Sequence, residues 1–527
     1  MEIATAAQMR AIDDETIRDI GIPGPVLMES AGMSVVAALK GRFKSLETKQ
    51  VVVLCGRGNN GGDGFVVSRR LNLMGAPVRT ILLGTPDQAK GDAKLNLEIL
   101  SRLGIPVETA PDAESFKGFS DLIFSSDIIV DAILGTGLSR GVSGYLGDVI
   151  EVVNSVPAFV ISVDIPSGLS SDTPKILGSV IRASCTVTFG LPKISQILYP
   201  AAEYVGDLIV SDIGIPPSVI QSKGITTFRL DADELAPSAF LRNPDTHKGT
   251  FGHVLIIGGS TGKTGAVALA AEAAMRAGAG LCSAAIPASL NEILETKLTE
   301  AMTIPLSEEA PGAVGPAAID SVLSAISELN VRAIAIGVGI GVAPETIEFV
   351  LKLLPRIAGI PIVLDADGLN AVATRVSGLD DLKSPIILTP HPKEFSRLSG
   401  LEVKQILEDR LATSRMFSHD HNAFLVLKGA RSIIAAPDGT AFINMTGNSG
   451  MASGGTGDVL TGIIAALAAQ GLAPLEAAKL GTYVHGLAGD IAAESVGETS
   501  LIASDLVRFL PNAIGEITGQ THVEQRS

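Results

Sequence analysis

The chain has 527 residues, 46% of them hydrophobic but only 4% aromatic, with 57 glycines and no tryptophan; that length calls for two or more domains, and cores rich in Ala, Val, Ile and Leu suit parallel sheets covered by helices. A net charge of −16 with no basic run argues against nucleic acid or an anionic membrane as the main partner. Cys55, Cys185 and Cys282 are scattered, with neither metal-ligand spacing nor a disulfide framework, which fits a reducing cytoplasm.

Residues 5 to 20 have helical periodicity, with Met9, Ile12, Ile17 and Ile20 on one side and Asp13, Asp14 and Glu15 on the other. Those acids, and the lack of an apolar core, are unlike a signal peptide. No stretch reaches the roughly eighteen apolar residues of a transmembrane helix, so no membrane partner is expected. After Pro23 to Pro25 a small-residue helix is expected over Leu27 to Leu39, and its apolar surface suits contacts in a homo-oligomer. Gln50 to Cys55 reads as a buried strand, Gly56 to Gly64 as a loop and Phe65 to Met74 as a helix. Further strands are Val78 to Leu83, Asp127 to Ala132, Phe159 to Asp164, Ala183 to Phe189 and Gly206 to Val210. Glycine loops follow the strand carboxyl ends, which is the layout of a Rossmann-like doubly wound sheet.

Pro216-Pro217 and the polar run after them interrupt this pattern, so two domains are expected, 1–222 and 223–527. The second is also α/β and larger. Its strands are His253 to Ile257, Leu281 to Ile286, Ala333 to Ile336, Pro361 to Leu364, Pro385 to Leu388 and Ala423 to Leu427. A hairpin is expected over Pro437-Asp438-Gly439. Helices follow over Gly265 to Ala277, about 459 to 468 and about 475 to 494. No internal repeat links the halves.

Asn444 to Gly462 holds six glycines in nineteen residues and runs into an apolar helix. Such density points to a backbone that approaches a ligand closely. A helix start presents free N–H groups and a positive dipole end, which suits phosphate. Asp458 either caps that helix or acts as a base beside the phosphate, and spacing leaves both open. Gly56-Arg57-Gly58-Asn59-Asn60-Gly61 matches a dinucleotide fingerprint, yet the next strand ends without the acidic residue that would hold a ribose. Asn59, Asn60 and Asp63 are better explained as ligands for a hard cation or sugar hydroxyls, with Asp131 and Asp164 converging from neighbouring strand ends. Ile257 to Thr264 fails as a P-loop, since the first glycine of that motif is replaced by Ile257. His391 between two prolines, Asp365, Asp367 and Lys428 to Ser432 are further strand-end candidates.

Asn59 to Gly64 (NNGGDG), Val130 to Gly137 (VDAILGTG) and Asp164 to Gly168 (DIPSG) resemble the NAD(P)H-hydrate epimerase family. Gly258 to Ala266, Thr389 to Phe395, Leu427 to Ala430 and Gly447 to Gly462 resemble the ADP-dependent NAD(P)H-hydrate dehydratases, which have a ribokinase-like fold. In this order the two sets resemble bifunctional NAD(P)H-hydrate repair enzymes, across nearly the whole chain.

The resemblance implies a cytoplasmic enzyme acting on hydrated NADH and NADPH. One half would interconvert the R and S epimers. The other would use ADP with Mg2+ to phosphorylate the new ring hydroxyl of the S epimer, then lose phosphate and restore the double bond. It further implies that Asn59, Asn60, Gly61, Gly62, Asp63, Gly135, Thr136, Gly137, Leu138, Ser139, Arg140, Gly141 and Asp164 contact the hydrate in the first half, with K+ at Asn60, Asp131 and Ser167. In the second half Ala266, Gly339, His391 and Asp458 would contact the hydrate. Lys428, Gly429, Ala430, Arg431, Ser432 and Gly457 would contact the adenine nucleotide. Asp458 would take the hydroxyl proton, and Asp164, helped by Lys193, would serve epimerisation. The rival is a small-molecule kinase of the same fold with a non-catalytic first domain.

Overall fold

The computed structural model describes residues 1–138, 140–235 and 240–519. It comprises two compact units, Met1–Ile225 and Thr226–Ser527, dividing slightly beyond the 222/223 seam suggested by composition.

In the first unit, strands β1 (Val51–Cys55), β2 (Val78–Leu82), β3 (Val107–Thr109), β4 (Ile128–Ala132), β5 (Phe159–Val163), β6 (Cys185–Phe189) and β7 (Asp207–Ser211) form one parallel sheet in the order β3-β2-β1-β4-β5-β6-β7. The order reverses between β1 and β4, where open parallel sheets bind ligands. Val51, Val53 and Cys55 pack into one apolar layer and Val52 and Leu54 into the other. Burial on both faces explains why this strand is continuously apolar rather than alternating.

The loop expected over Gly56 to Gly64 is mostly helix: Asn59–Leu73 is helical from just after Gly58. Packing overrides the poor helix propensity of glycine here. A Cβ at Gly61 would sit 1.9 Å from the Gly56 carbonyl oxygen, and one at Gly64 would sit 2.6 Å from the Ala132 side chain. The glycines let the helix lie directly on the sheet at the reversal point. The amphipathic segment at the start is also not one regular helix. Ala6–Glu15 is α-helical, closed by a Thr5–Gln8 capping box, and Thr16–Ile20 widens into a π turn that ends at Gly21.

The second unit contains β8 (Thr227–Leu230), β9 (His253–Ile257), β10 (Leu281–Pro287), β11 (Met302–Leu306), β12 (Glu308–Ala310), β13 (Ala313–Val314), β14 (Ala333–Ile336), β15 (Ile362–Leu364), β16 (Ile386–Leu388), β17 (Phe424–Leu427), β18 (Ile433–Ala435) and β19 (Ala441–Asn444). Its main sheet has the order β11-β10-β9-β14-β15-β16-β17-β18-β19-β8, and β12 and β13 form a separate hairpin. Only the β17–β18 and β18–β19 pairings in this sheet are antiparallel among the described residues, the latter being the expected hairpin. The strand β8 lies in the stretch read from sequence as a polar seam. Its Phe228 and Arg229 are only half buried, so it lacks the apolar run that marks the inner strands. It pairs with β19, where Phe228 stacks on Phe442.

Alternate residues again feed two layers, Val254 and Ile256 on one face and Leu255 and Ile257 on the other. Helices Thr264–Arg276 and Thr456–Ala469 pack together on one face. A Cβ at Gly462 would sit 2.1 Å from the Ala270 carbonyl oxygen, so the glycine sets their close approach. Among the described residues no helix is long and apolar enough to cross a membrane.

Candidate active sites

In the first unit a cavity of about 750 Å³ opens at the carboxyl ends of β1, β4 and β5. Asn59, Asn60, Asp63, Gly135, Thr136, Gly137 and Asp164 line it. Gly61 and Gly62 lie behind this wall, packed against backbone and Met28. Leu138, Arg140 and Gly141 do not line it, and Ser139 lies outside the described residues.

Asp164 has a left-handed backbone, φ 64°, immediately after β5. Such strain in a non-glycine residue persists only where surrounding contacts fix it. Here the Gln196 amide donates to its carbonyl at 2.7 Å, and Lys193 Nζ donates to its Oδ1 at 2.6 Å. Lys193 also donates to Thr188 Oγ1 and the Phe189 carbonyl, at 2.7 and 3.3 Å.

Asp131 is fully buried at the end of β4. Burial raises its carboxyl, opposed by hydrogen bonds from the Ser167 hydroxyl and amide and the Ser162 hydroxyl. Ser167 Oγ also accepts from the Leu134 amide at 2.8 Å. Both polar atoms of the Asn60 amide group are buried and make no hydrogen bond among the described residues. A buried amide left unpartnered is costly, so its oxygen is open to a ligand. Burial, then Asp164 and Asp13, push Asp63 well above the ordinary carboxylate range.

The second site gathers at the strand carboxyl ends of the larger sheet. Helix Thr456–Ala469 is capped by Gly455 in the left-handed region, φ 95°, rather than by Asp458, which sits in its first turn. Among the described residues the Asp458 side chain makes no hydrogen bond or ion pair. Burial first, then nearby Asp365, push its carboxyl up to about 7, against the pull of Lys428. Such an acid exchanges its proton near neutrality.

Asp365 follows β15. Its Oδ1 accepts from Lys428 Nζ at 2.7 Å and its Oδ2 from Thr461 Oγ1 at 2.8 Å. Burial opposes the Lys428 charge, but Asp365, with Glu394 and Asp458 nearby, holds the ammonium above the ordinary lysine value. A Cβ at Gly457 would lie 3.1 Å from Lys428 Nζ, so the bare glycine leaves this pair uncovered at the helix start.

His391 caps helix Pro392–Ser399. Its Nδ1 accepts from the Lys393 and Glu394 amides at 3.1 and 3.3 Å, so that nitrogen is unprotonated, and burial lowers the ring's pKa. Gly339, φ 63°, packs against Lys263 and Ala266 at the neighbouring helix start. Asp367 accepts from Lys263 Nζ and the Gly341 amide, at 2.8 and 3.0 Å, tying two glycine loops together.

Two supports escaped sequence reading. Buried Arg410 donates to the Ala430 and Leu427 carbonyls at 2.6 and 3.0 Å, stapling the loop Lys428 to Ser432. Within that loop Ser432 Oγ donates to the Gly429 carbonyl at 3.1 Å, and Arg431, φ 58°, donates to the Met445 carbonyl. His485, pushed down to about 4 by burial, donates from Nε2 to the Thr456 carbonyl at 2.8 Å and steadies the helix start. Neither carries a motif of its own. For His485 the signal was a polar residue inside a mostly small and apolar helix; Arg410 opens a helix whose buried face also carries Ser414 and Ser418, and gave none.

Residues 254–512 match the NAD(P)H-hydrate dehydratase family model, and residues 24–195 match that of the YjeF-related protein N-terminus. A bifunctional NAD(P)H-hydrate repair enzyme from Moorella thermoacetica is 43% identical over 512 residues, spanning 97% of this chain and 96% of that protein. The chain belongs to the bifunctional NAD(P)H-hydrate repair enzyme family. Another repair enzyme of this name, from Thermofilum pendens, is 40% identical over 514 residues, spanning 98% of this chain and 96% of that protein. Among solved structures, the ADP/ATP-dependent NAD(P)H-hydrate dehydratase from Bacillus subtilis, co-crystallised with ATP and Mg2+, is 29% identical. It covers 55% of this chain and 98% of its own, with a TM-score of 0.47. Within the repair-enzyme family, the α/β class of both units is as the sequence suggested: Rossmann-like and doubly wound in the first, ribokinase-like in the second.

Proposed function

We propose that this chain repairs hydrated NADH and NADPH at two separate sites. It is a bifunctional enzyme. The first unit interconverts the R and S hydrates, and the second dehydrates the S epimer at the expense of ADP, giving AMP and phosphate. The observation that carries this reading is Asp458. It is a neutral-range carboxyl in the first turn of a helix that offers unpaired amides to phosphate, beside the Lys428–Asp365 pair.

In the second unit Asp458 takes the proton from the hydrate's ring hydroxyl as that oxygen attacks the terminal phosphate of ADP. Positioning and charge stabilisation carry most of such a transfer. Lys428, with Gly429 to Ser432 and the amide of Gly457, holds the nucleotide. His391, Gly339 and Ala266 hold the hydrate. The phosphorylated oxygen then leaves as phosphate with help from the adjacent ring nitrogen, and the neighbouring ring carbon loses a proton to solvent so that the ring double bond re-forms. A magnesium ion would be brought by the nucleotide's phosphates and would supply charge neutralisation there, since Asp365 and Asp367 are engaged by Lys428 and Lys263.

In the first unit Asn59, Asn60, Asp63 and Gly135 to Gly137 receive the hydrate, with Asp164 and Lys193 at the reacting carbon. The donor set fits a potassium ion. The buried Asn60 oxygen lacks a partner, Ser167 supplies a hydroxyl, and a cation there would offset the burial of Asp131. Potassium would organise phosphate and amide oxygens rather than take part in bond making. A cytoplasmic location and a homo-oligomer complete the reading, the latter supported by exposed Val26 and Met33 on helix Gly24–Arg42.

The test supplies purified protein with hydrated NADH, with and without ADP or ATP, and follows return of the NADH absorbance band. Nucleotide-dependent recovery is expected. No recovery sinks the reading, and a stable phosphorylated alcohol would favour a small-molecule kinase.

A further inference from the structure

The cavity of the first unit has a carboxyl that neither motif set contains. We propose that Asp13 is the second proton-transfer group of the epimerase site, acting opposite Asp164 when the hydroxyl-bearing ring carbon inverts. This rests on the epimerase reading given above.

Placement is the first argument. Asp13 lines the same cavity as Asp164 and Lys193. Its helix, Ala6–Glu15, is pinned at the start: the Ala4 amide donates to the Pro192 carbonyl at 2.9 Å, next to Lys193, and the Ala6 amide donates to the Asp172 carboxylate at 2.6 Å. Met9 and Ile12 are buried on the inner side of the helix. The helix is therefore a fixed wall, and the π turn that follows Glu15 is a feature enriched at functional sites.

Availability is the second. Asp164 is engaged by Lys193 and Thr188. Asp13 makes no side-chain hydrogen bond or ion pair among the described residues, so its carboxyl is open to a ligand. Asp63 faces it from helix Asn59–Leu73, Asp164 from the end of β5, Lys193 from the segment after β6, and Asp14 from its own helix. Burial first, then the carboxyls of Asp164 and Asp14, push Asp13 up to about 6, against the pull of Lys193. Arg10 and Asp92 also line the cavity.

The chemistry needs two such groups. The inverting carbon carries a hydroxyl and the ring nitrogen. Protonated Asp13 gives its proton to the hydroxyl, the C–O bond breaks, and water leaves as the nitrogen lone pair forms a C=N bond. The cationic ring sits among carboxyls, which favour it. A water molecule then adds to the other face and its proton goes to Asp164. The net change is one proton moved from Asp13 to Asp164, restored by exchange with solvent. The reverse epimerisation runs with the two roles exchanged.

The test uses full-length protein and the R hydrate, with epimers separated chromatographically, in ordinary and 18O-labelled water. Asp13→Asn should lower epimerase kcat by about 100-fold or more, with KM within about threefold, as expected for loss of a general acid. Asp13→Glu should restore it to within about tenfold. Above about pH 6 the wild-type rate should fall, and this limb should be absent in Asp13→Asn. Each inversion should place one labelled oxygen on the ring. Asp13→Asn with near wild-type kcat overturns the assignment. So does loss of hydrate binding with turnover in folded Asp13→Asn and Asp13→Glu, which would make Asp13 structural, and so does inversion without label. Wild-type protein that interconverts no epimers would instead remove the epimerase reading itself.

Discussion

Both units set a lysine–aspartate pair beside a third carboxyl, but they turn the pair in opposite directions. In the first, Lys193 is 1% exposed and Asp164 is 16% exposed. In the second, Asp365 is 2% exposed and Lys428 is 21% exposed. One cavity therefore meets its ligand with a carboxylate backed by a hidden ammonium. The second site presents an ammonium backed by a hidden carboxylate. Where water is excluded, the nearer charge dominates what the ligand feels. A phosphate suits the second arrangement, and a cationic ring or a mobile proton suits the first. The third carboxyl is lifted by burial in both, to about 6 at Asp13 and about 7 at Asp458. A lysine and two aspartates are thus presented in opposite orientations in the two units.

The sharpest way to separate the two regions is Asp458→Asn. ADP-dependent dehydration, followed as NADH absorbance, should fall by about 10²–10⁴-fold. Epimer exchange, followed chromatographically, should proceed at the wild-type rate. Loss of both in folded protein would mean that the two regions work as one site. Next in size is Lys428→Met, which strands a buried carboxylate with Thr461 as its remaining partner. It should cost about 3 kcal/mol in urea unfolding. Lys193→Met should cost less, because Asp164 still reaches the cavity. Equal losses would undo the distinction between exposed and hidden partners.

A smaller effect concerns pH. As a base, Asp458 must be ionised, so the dehydration rate should rise about tenfold per pH unit up to about 7 and then level off. Stability moves the other way. A carboxyl raised by folding contributes fully below its unfolded value of 3.8, and that contribution is lost as pH rises through about 7. Asp458→Asn should therefore resist urea better than wild type at pH 8 and show no such gain at pH 4. The smallest expected change is a severalfold slowing of epimerisation when potassium is replaced by tetramethylammonium, with dehydration unaffected. Equal slowing of both would argue against a cation confined to the Asn60 region.

Much of this was readable from sequence because inner strands of doubly covered sheets are unbroken apolar runs. Val51–Cys55 and His253–Ile257 announce themselves, and the glycine loops after them point to the ligand sites. What stayed hidden depends on context that no local pattern carries. The Asn59 helix looked like a loop because its glycines obey packing rather than propensity. Asp13 looked like part of a solvated face, since periodicity tells apolar from polar but not a cavity from bulk water. Arg410 and His485 act on backbone carbonyls far along the chain, at Ala430 and Thr456, and their partners have no side-chain signature. Lys193 was visible only as a lysine after a strand; its contact with Asp164 required the fold.

The strand β8 bears on how the two halves can be separated for study. It is the outermost strand of the second sheet, although it comes first in that unit's sequence. A fragment started at residue 254, where the dehydratase family model begins to match, would omit it. The backbone of β19 from Ala441 to Asn444 would lose its outer partner, and Phe442 would lose its stacking neighbour. A bare apolar edge of that kind recruits other chains. Aggregation of such a fragment would report a missing border strand rather than an inability of the second unit to stand alone, and cutting ahead of Thr226 avoids that confusion.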